Sequence, residues 1–355
     1  MKVIQIIPNL CMGGAETMCK TLTLELTKNG VEVIVVSLYN YETPITQRLT
    51  EAGVKIEFLN KKRGLDLSII KKLKLLFDRE KPDAVHSHLD AQKYVMIAAN
   101  QSKVPVRMHT VHTLAEKEYG WVSKFLAKTF YQKHNVIPVA LSKVVQESIS
   151  TVYELPLESI PVILNGIDLT NCITKENYSI GEDIKILHIG RFSKEKNHKG
   201  LIDAFKIFHT VRPNSILELI GDGPMFDEIK QYVIDQNLGN AVVFLGLQSN
   251  VYQYINNADI FVLPSLYEGI PLTLIEAMGT GIPIVATKVG GIPNMLTNNE
   301  SALLTSLDSS EIANAFEELY NDADLRERLG KNALVRSKEF SSEEMARKYL
   351  AIFEE

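Results

Sequence analysis

The chain is expected to be α/β, built as two Rossmann-like, doubly wound parallel-sheet domains. Short Val/Ile-rich runs recur along its whole length and are almost continuously apolar, as strands covered on both faces of a parallel sheet must be. Stretches of helical periodicity, such as 14–29, 66–80 and 195–211, lie between them, so strand and helix alternate. A length of 355 residues also exceeds what one hydrophobic core commonly serves, which makes two domains the expectation.

In the first half the strand candidates are KVIQIIP (2–8), VEVIVVSLY (31–39), VKIEFLN (54–60), AVHSH (84–88), VRMHTVH (106–112) and VIPVALS (136–142). In the second they are KILHIG (185–190), SILELIG (215–221), AVVFLG (241–246), IFVLPS (260–265), IPIVAT (282–287) and SALLT (301–305). The polar stretch 165–183 separates the halves, with Asn165-Gly166 as a turn and hinge candidate. The expected domains are therefore residues 1–167, 168–338 and a terminal helix over 339–355, whose SSEE start supplies capping residues. That helix could pack on either domain, and a return to the first is one reading. Ligands of open α/β sheets bind beyond the carboxyl ends of the strands. With two such sheets, a cleft between the domains is the natural place to look, and the motifs to seek follow strands.

Composition narrows the class. Hydrophobic content of 45% with 23% charged residues describes an ordinary soluble globular protein, not a disordered one. No apolar run approaches the roughly 18 residues that a spanning helix needs. The apolar start breaks at Pro8, too early for a secretion signal, and reads as a first core strand. Cys11, Cys19 and Cys172 are odd in number and lack a CxxC spacing, so reduced thiols in a cytoplasmic protein are expected. Residues 1–165 carry a net charge of +5 and the remainder −10, which suggests that the first half faces something anionic. A merely solvated surface explains any single lysine as well. No nucleic-acid partner is expected.

Four constellations follow strands. Gly13 and Gly14 precede a helix expected from Ala15; glycines admit close backbone approach, and a helix N-terminus offers N–H groups to an anion. A tight strand-to-helix turn would look the same. Arg191 and Lys196, in HIGRFSKEKN, place a guanidinium fork and an ammonium on one loop, a pairing suited to a diphosphate. GDGP at 221–224 reads as a structural turn. In LYEGIPLTLIEAMGTGIP (266–283), Glu268 and Glu276 stand among residues otherwise built for burial. A buried carboxylate without a partner is costly, so a ligand or an internal cation must answer it. A helix expected from Pro271 would free the N–H groups of Ile270, Leu272 and Thr273 for an anionic oxygen. Glu268 could then accept from sugar hydroxyls, and Glu276 from both hydroxyls of a ribose.

The fourth constellation is histidine-rich: His86, His88, His109 and His112 end two strands. Their spacing fits no standard zinc pattern, and alternation makes one of them a candidate for a satisfied core residue. A histidine at a strand end is the better functional candidate, contacting an acceptor hydroxyl or a transferred sugar. Asp322 and Asp324 form a DxD but open a helix, where aspartate caps.

Together these residues resemble glycosyltransferase family 4, retaining enzymes of the GT-B architecture, including those of bacterial polysaccharide biosynthesis. The resemblance covers nearly the whole chain: GGAE (13–16), GRFSKEKN (190–197), GDGP (221–224) and LPSLYEGIPLTLIEAMGTGIPIVATKVGGIP (263–293). The last, with two glutamates separated by seven residues, is the most specific. The resemblance implies Gly13 and Gly14 against the donor phosphates, Arg191 and Lys196 on the diphosphate, and Glu268 on the donor sugar. Gly269, Ile270 and Leu272 would offer backbone contacts, Glu276 would hold the ribose, and His112 would be the cleft histidine. It further implies a nucleotide-diphosphate sugar as co-substrate, a UDP-sugar first, retention of anomeric configuration, and neither metal nor other cofactor. Asn294, where a glutamate is usual, and Ala302, where a glycine is usual, depart from the pattern outside this set.

For the acceptor the expectations are a glycan or lipid-linked oligosaccharide, a small soluble sugar phosphate, or none, in a non-catalytic nucleotide-sugar-binding subunit. WVSKFLAKTFYQK (121–133) interleaves lysines with aromatics, which suits either a core-facing helix or peripheral contact with an anionic membrane.

Overall fold

The computed structural model describes residues 1–11, 13–118 and 120–354, the side chains of Trp121 and Val122 excepted. The chain divides into two compact units. One comprises Met1–Gly166 with Ser342–Glu355, the other Ile167–Ser341. The division thus falls one residue before the expected boundary, and Lys338–Phe340, a single 3-10 turn, stays with the second unit.

The first unit carries a six-stranded sheet of β1 (Lys2–Ile7), β2 (Glu32–Ser37), β3 (Lys55–Phe58), β4 (Ala84–His88), β5 (Val106–Val111) and β6 (Val136–Ala140), ordered β3-β2-β1-β4-β5-β6. The second repeats the plan with β7 (Ile184–Ile189), β8 (Ser215–Ile220), β9 (Val242–Gly246), β10 (Ile260–Leu263), β11 (Ile284–Thr287) and β12 (Leu303–Thr305), ordered β12-β11-β10-β7-β8-β9. All pairings between these strands are parallel. Both units therefore have a doubly wound order that reverses next to its first strand. The two loops leaving the central pair, β1/β4 or β7/β10, diverge there and open a crevice. The inner strands are buried on both faces because helices cover both sides, whereas the edge strands β3 and β9 are only partly buried. Val3, Val33 and Val35 pack toward helix Gly14–Lys28, whereas Ile4, Ile34 and Val36 pack toward helices Ser68–Glu80 and Gln92–Gln101.

The terminal helix, Ser342–Phe353, belongs to the first unit. Its apolar stripe of Met345, Ala346, Tyr349 and Phe353 is buried with Met18, Cys19 and Leu22 of helix Gly14–Lys28. The Tyr349 hydroxyl meets Thr110 Oγ1 at 2.8 Å, and Ser342 Oγ donates to Glu25 Oε2 at 3.1 Å. These bonds anchor the helix where its apolar face alone would allow it to slide.

Two helix starts differ from expectation by one residue. The first begins at Gly14 with Gly13 as its extended cap, not at Ala15. The second begins at Leu272, because Pro271 has ψ of 120° and caps with its carbonyl, which accepts from Leu274 and Ile275. Helix Trp121–Lys133 turns Ala127, Phe130 and Tyr131 into the core and leaves Phe125 exposed. The Trp121 side chain lies outside the described residues. Asp322 caps its helix, accepting from the Leu325 N–H at 2.8 Å, as the capping reading requires.

Candidate functional site

In the second unit the reversal point lies between β7 and β10, so the loop carrying Arg191 and Lys196 is neighbour to the loop carrying Glu268. Hydrogen bonds join them: Leu266 N–H donates to the Glu195 carbonyl at 2.8 Å, and the Asn197 side-chain Nδ2 donates to that of Pro264 at 3.1 Å. Lys196 Nζ then reaches Glu268 Oε1 at 2.6 Å, and Ser265 Oγ donates to the same oxygen at 2.6 Å. Of the two partners open to a buried acid, a ligand or an internal cation, Glu268 has the cation. Glu268 is answered by a cation 72 residues away, which no local reading of its neighbours could reveal. The pair is tethered on both sides, since Thr287 Oγ1 donates to the Ser265 carbonyl at 2.6 Å.

Glycine–glycine packing holds the Glu268 loop from the other direction. A Cβ on Gly290 would lie 1.8 Å from the Glu268 carbonyl oxygen, and one on Gly291 would lie 2.0 Å from that of Gly269. The Gly291 N–H donates to the Glu268 carbonyl at 3.0 Å. GDGP does the same for the Arg191 loop: a Cβ on Gly221 would lie 2.0 Å from the Gly190 carbonyl oxygen and one on Gly223 2.5 Å from that of Phe192. Past Glu268 the backbone turns outward. Among the described residues, the N–H groups of Gly269, Ile270, Leu272 and Thr273 find no acceptor, and they stand at the N-terminus of helix Leu272–Thr280. Four unpaired donors at a positive helix end make a cradle for an anion.

Glu276 lies half-buried one turn into that helix and has no ion pair among the described residues. Burial pushes its carboxyl up to about 7, a rise that a hydrogen bond from the Tyr252 hydroxyl only partly offsets. Arg191 is exposed and likewise carries no ion pair among the described residues. One acid is thus neutralised internally, while one acid, one guanidinium and four N–H groups remain to be answered. Ser265, Tyr252, Gly290 and Gly291 were missed as site residues in the sequence. The signals were present, as a serine three positions before Glu268 and a Gly-Gly pair after a strand, but which loop they touch depends on strand order.

In the first unit, Gly13 has φ of −170°, ordinary extended backbone, and the Glu16 carboxylate lies over the place its Cβ would take. A Cβ on Gly14 would meet open space, so the protein itself does not require that glycine. His112 follows β5, and its Nε2 lies 3.1 Å from His88 Nδ1. Burial lowers its basicity to about 3, so it is neutral. His86 is bonded to Thr110 at 2.7 Å, and His109 to Ser87 and Glu118 at 2.9 and 3.1 Å. His88 and His109 thus have both ring nitrogens bonded, whereas His86, equally buried, is bonded through Nε2 and leaves Nδ1 without a partner among the described residues. No group of three metal-ligating side chains stands together among the described residues.

Similarity to known proteins runs along most of the chain. Residues 12–171 match the family described as Glycosyltransferase Family 4, and residues 173–336 match Glycosyl transferases group 1. An Escherichia coli UDP-Gal:alpha-D-GlcNAc-diphosphoundecaprenol alpha-1,3-galactosyltransferase is 31% identical over 66% of this chain and 66% of its own. A Campylobacter jejuni N-acetylgalactosamine-N,N'-diacetylbacillosaminyl-diphospho-undecaprenol 4-alpha-N-acetylgalactosaminyltransferase is 27% identical over 97% of this chain and 98% of its own. Among solved structures, Anabaena Alr3699/HepE in complex with UDP superposes with a TM-score of 0.84 at 19% identity, covering 100% of both chains. With two doubly wound sheets of this order and matches that run from residue 12 to residue 336, the chain is a GT-B glycosyltransferase and belongs to glycosyltransferase family 4.

Proposed function

We propose that the protein transfers a sugar, with retention, from a nucleotide-diphosphate sugar to a hydroxyl of a glycan or lipid-linked oligosaccharide in bacterial polysaccharide synthesis. The observation that carries the donor half is the β7/β10 reversal point, where, among the described residues, N–H groups without acceptors and a guanidinium without an ion pair stand beside a half-buried carboxylate with no cation. A diphosphate answers the donors and Arg191, and a ribose diol answers Glu276. Lys196 and Glu268 arrive as a pair, so Lys196 can turn a proton toward the diphosphate while Glu268 keeps an oxygen for a sugar hydroxyl. HepE has been crystallised with UDP and with UDP-glucose, and the Escherichia coli relative is named for a UDP-sugar donor, which favours uridine. Both named relatives act on undecaprenol-linked acceptors, which favours a lipid-linked acceptor here.

Gly13 and Gly14 are assigned to the phosphates and His112 to a hydroxyl of the acceptor or the transferred sugar. In the reaction the acceptor oxygen bonds to the anomeric carbon on the face the diphosphate leaves. The departing oxygen takes the bonding pair, and a diphosphate oxygen takes the acceptor's proton. Arg191, Lys196 and the helix N-terminus stabilise the charge that develops, work a metal ion would otherwise do. Peripheral contact with an anionic membrane goes with a lipid-linked acceptor; no described helix is long and apolar enough to cross a membrane.

Thermal shift with UDP, GDP, ADP and common nucleotide sugars, in chelator, tests the donor site on wild type and Glu276→Ala. A nucleotide at 100 times its Kd should add about 2.7 kcal/mol of stability. The expected result is one nucleotide that stabilises wild type and much less the variant. Stabilisation only after metal addition, equal in both proteins, would remove the metal-free clamp and the ribose assignment.

A further inference from the structure

Beneath His112 runs a buried chain of hydrogen bonds that nothing in the proposed chemistry yet uses. Gln5, in the middle of β1, is fully buried, and its Oε1 stands 3.0 Å from His88 Nε2. The same oxygen takes the Cys19 thiol at 3.5 Å, while Gln5 Nε2 donates to Thr23 Oγ1 at 2.8 Å. His88 Nδ1 in turn meets His112 Nε2 at 3.1 Å. Of the His112 ring nitrogens, only Nδ1 has no partner among the described residues.

The polarity of this chain follows from its buried end. The amide oxygen faces two groups that can donate, an imidazole and a thiol, and its two lone pairs satisfy both. Burial holds that thiol protonated, raising it to about 12. Turning the amide over would aim its N–H groups at sulfur, a weak acceptor. With Oε1 accepting, His88 must carry its proton on Nε2. Its Nδ1 is then a lone pair and accepts from His112, which must carry its proton on Nε2 as well. What His112 presents at Nδ1 is therefore a lone pair on a neutral ring.

We propose that Gln5 and His88 are positioning residues that fix His112 as a hydrogen-bond acceptor, so that it selects a hydroxyl and rejects phosphate or carboxylate oxygen. Two acceptors set against each other repel, whereas a hydroxyl can donate. The assignment of that hydroxyl to a sugar rests on the proposed transferase reaction; the tautomer does not. It gives the site a specificity the motif alone lacks: neutral sugars are accepted, and a sugar bearing a carboxylate at the contacted position is excluded.

Histidine-selective ¹⁵N labelling of the full chain, with long-range ¹H–¹⁵N correlation near neutral pH, reads the tautomers without any ligand. His88 and His112 are both expected as Nε2–H. Gln5→Met, which removes the acceptor at nearly constant shape, should give mixed tautomers at His112. It should also lower kcat roughly tenfold while leaving the KM for the nucleotide sugar nearly unchanged, since the phosphate contacts stay. Thr23→Val, which frees the amide to turn over, gives a second and gentler perturbation should the first variant fold poorly. Finding His112 as Nδ1–H in the wild type overturns the proposal, as does a His112 tautomer unmoved by both variants. If the tautomers behave as expected but no nucleotide sugar is turned over, the relay stands and the transferase reading is what fails.

Discussion

Glu276 is held half-buried, hydrogen-bonded by the Tyr252 hydroxyl and without an ion pair among the described residues, and its protonation carries a measurable signature. Between about 4.5, the ordinary value, and about 7, the folded chain keeps a proton that the unfolded chain has released. Stability contributed at this group therefore falls as pH rises through that window and is level above it. Glu276→Gln should abolish the fall and stabilise the unliganded protein at pH 8 by about 2 kcal/mol, read by denaturant titration across pH. Nucleotide binding should move the opposite way. A ribose diol needs the ionised carboxylate, so affinity should rise with pH through about 7 in the wild type and be flat in the variant, by calorimetry. At Lys196 the pairing is reversed. Lys196→Ala leaves the Glu268 carboxylate with Ser265 as its one side-chain partner among the described residues and should cost about 2 kcal/mol of stability besides transfer activity. The double variant with Glu268→Gln should recover the stability and not the activity. If stability is not recovered, the ion pair is not what the lysine supports.

The elements that matter most are loops whose shape other backbones impose. The Glu268 turn is shaped from behind by Gly290 and Gly291, which belong to the segment after β11, and the Arg191 turn by Gly221 and Gly223, which follow β8. A methyl at Gly291 would meet carbonyl oxygen, not a side chain that can swing away. Gly291→Ala should therefore displace the cradle and weaken nucleotide binding roughly tenfold or more while the far-ultraviolet circular dichroism stays that of the wild type. Unchanged affinity would mean that the Glu268 turn tolerates movement and is not the pre-shaped anion site. The strands and helices themselves were legible, because alternation of apolar runs with 3.6-residue periodicity is local information. Helix Leu272–Thr280 starts one residue later than expected, since proline serves as cap or first turn according to a ψ angle that composition does not specify.

At the scale of the whole chain, the first unit is completed by residues that arrive last. Met345, Tyr349 and Phe353 are buried in it, and burying three such side chains contributes about 6 kcal/mol, comparable with the net stability of an entire domain. Truncation after Ser341 should therefore unfold Met1–Gly166 and leave Ile167–Ser341 intact, seen as loss of one calorimetric transition and selective proteolysis of the first unit. Survival of both transitions would show the helix to be dispensable. The final helix was readable as amphipathic, but which unit it joins was not, since an apolar stripe names no partner. The same division runs through the molecule. Residue order alone determined the two α/β units, the family motifs and the identity of Arg191, Lys196, Glu268 and Glu276 as the residues to watch, because hydrophobic period and motif spacing are properties of the chain taken in order. Only the tertiary structure decided that Lys196 answers Glu268, that Glu276 has no cation among the described residues and that His112 ends a chain of buried polar groups. Those contacts join residues tens of positions apart, and the crossing of strands that brings them together is settled by how the sheets pack.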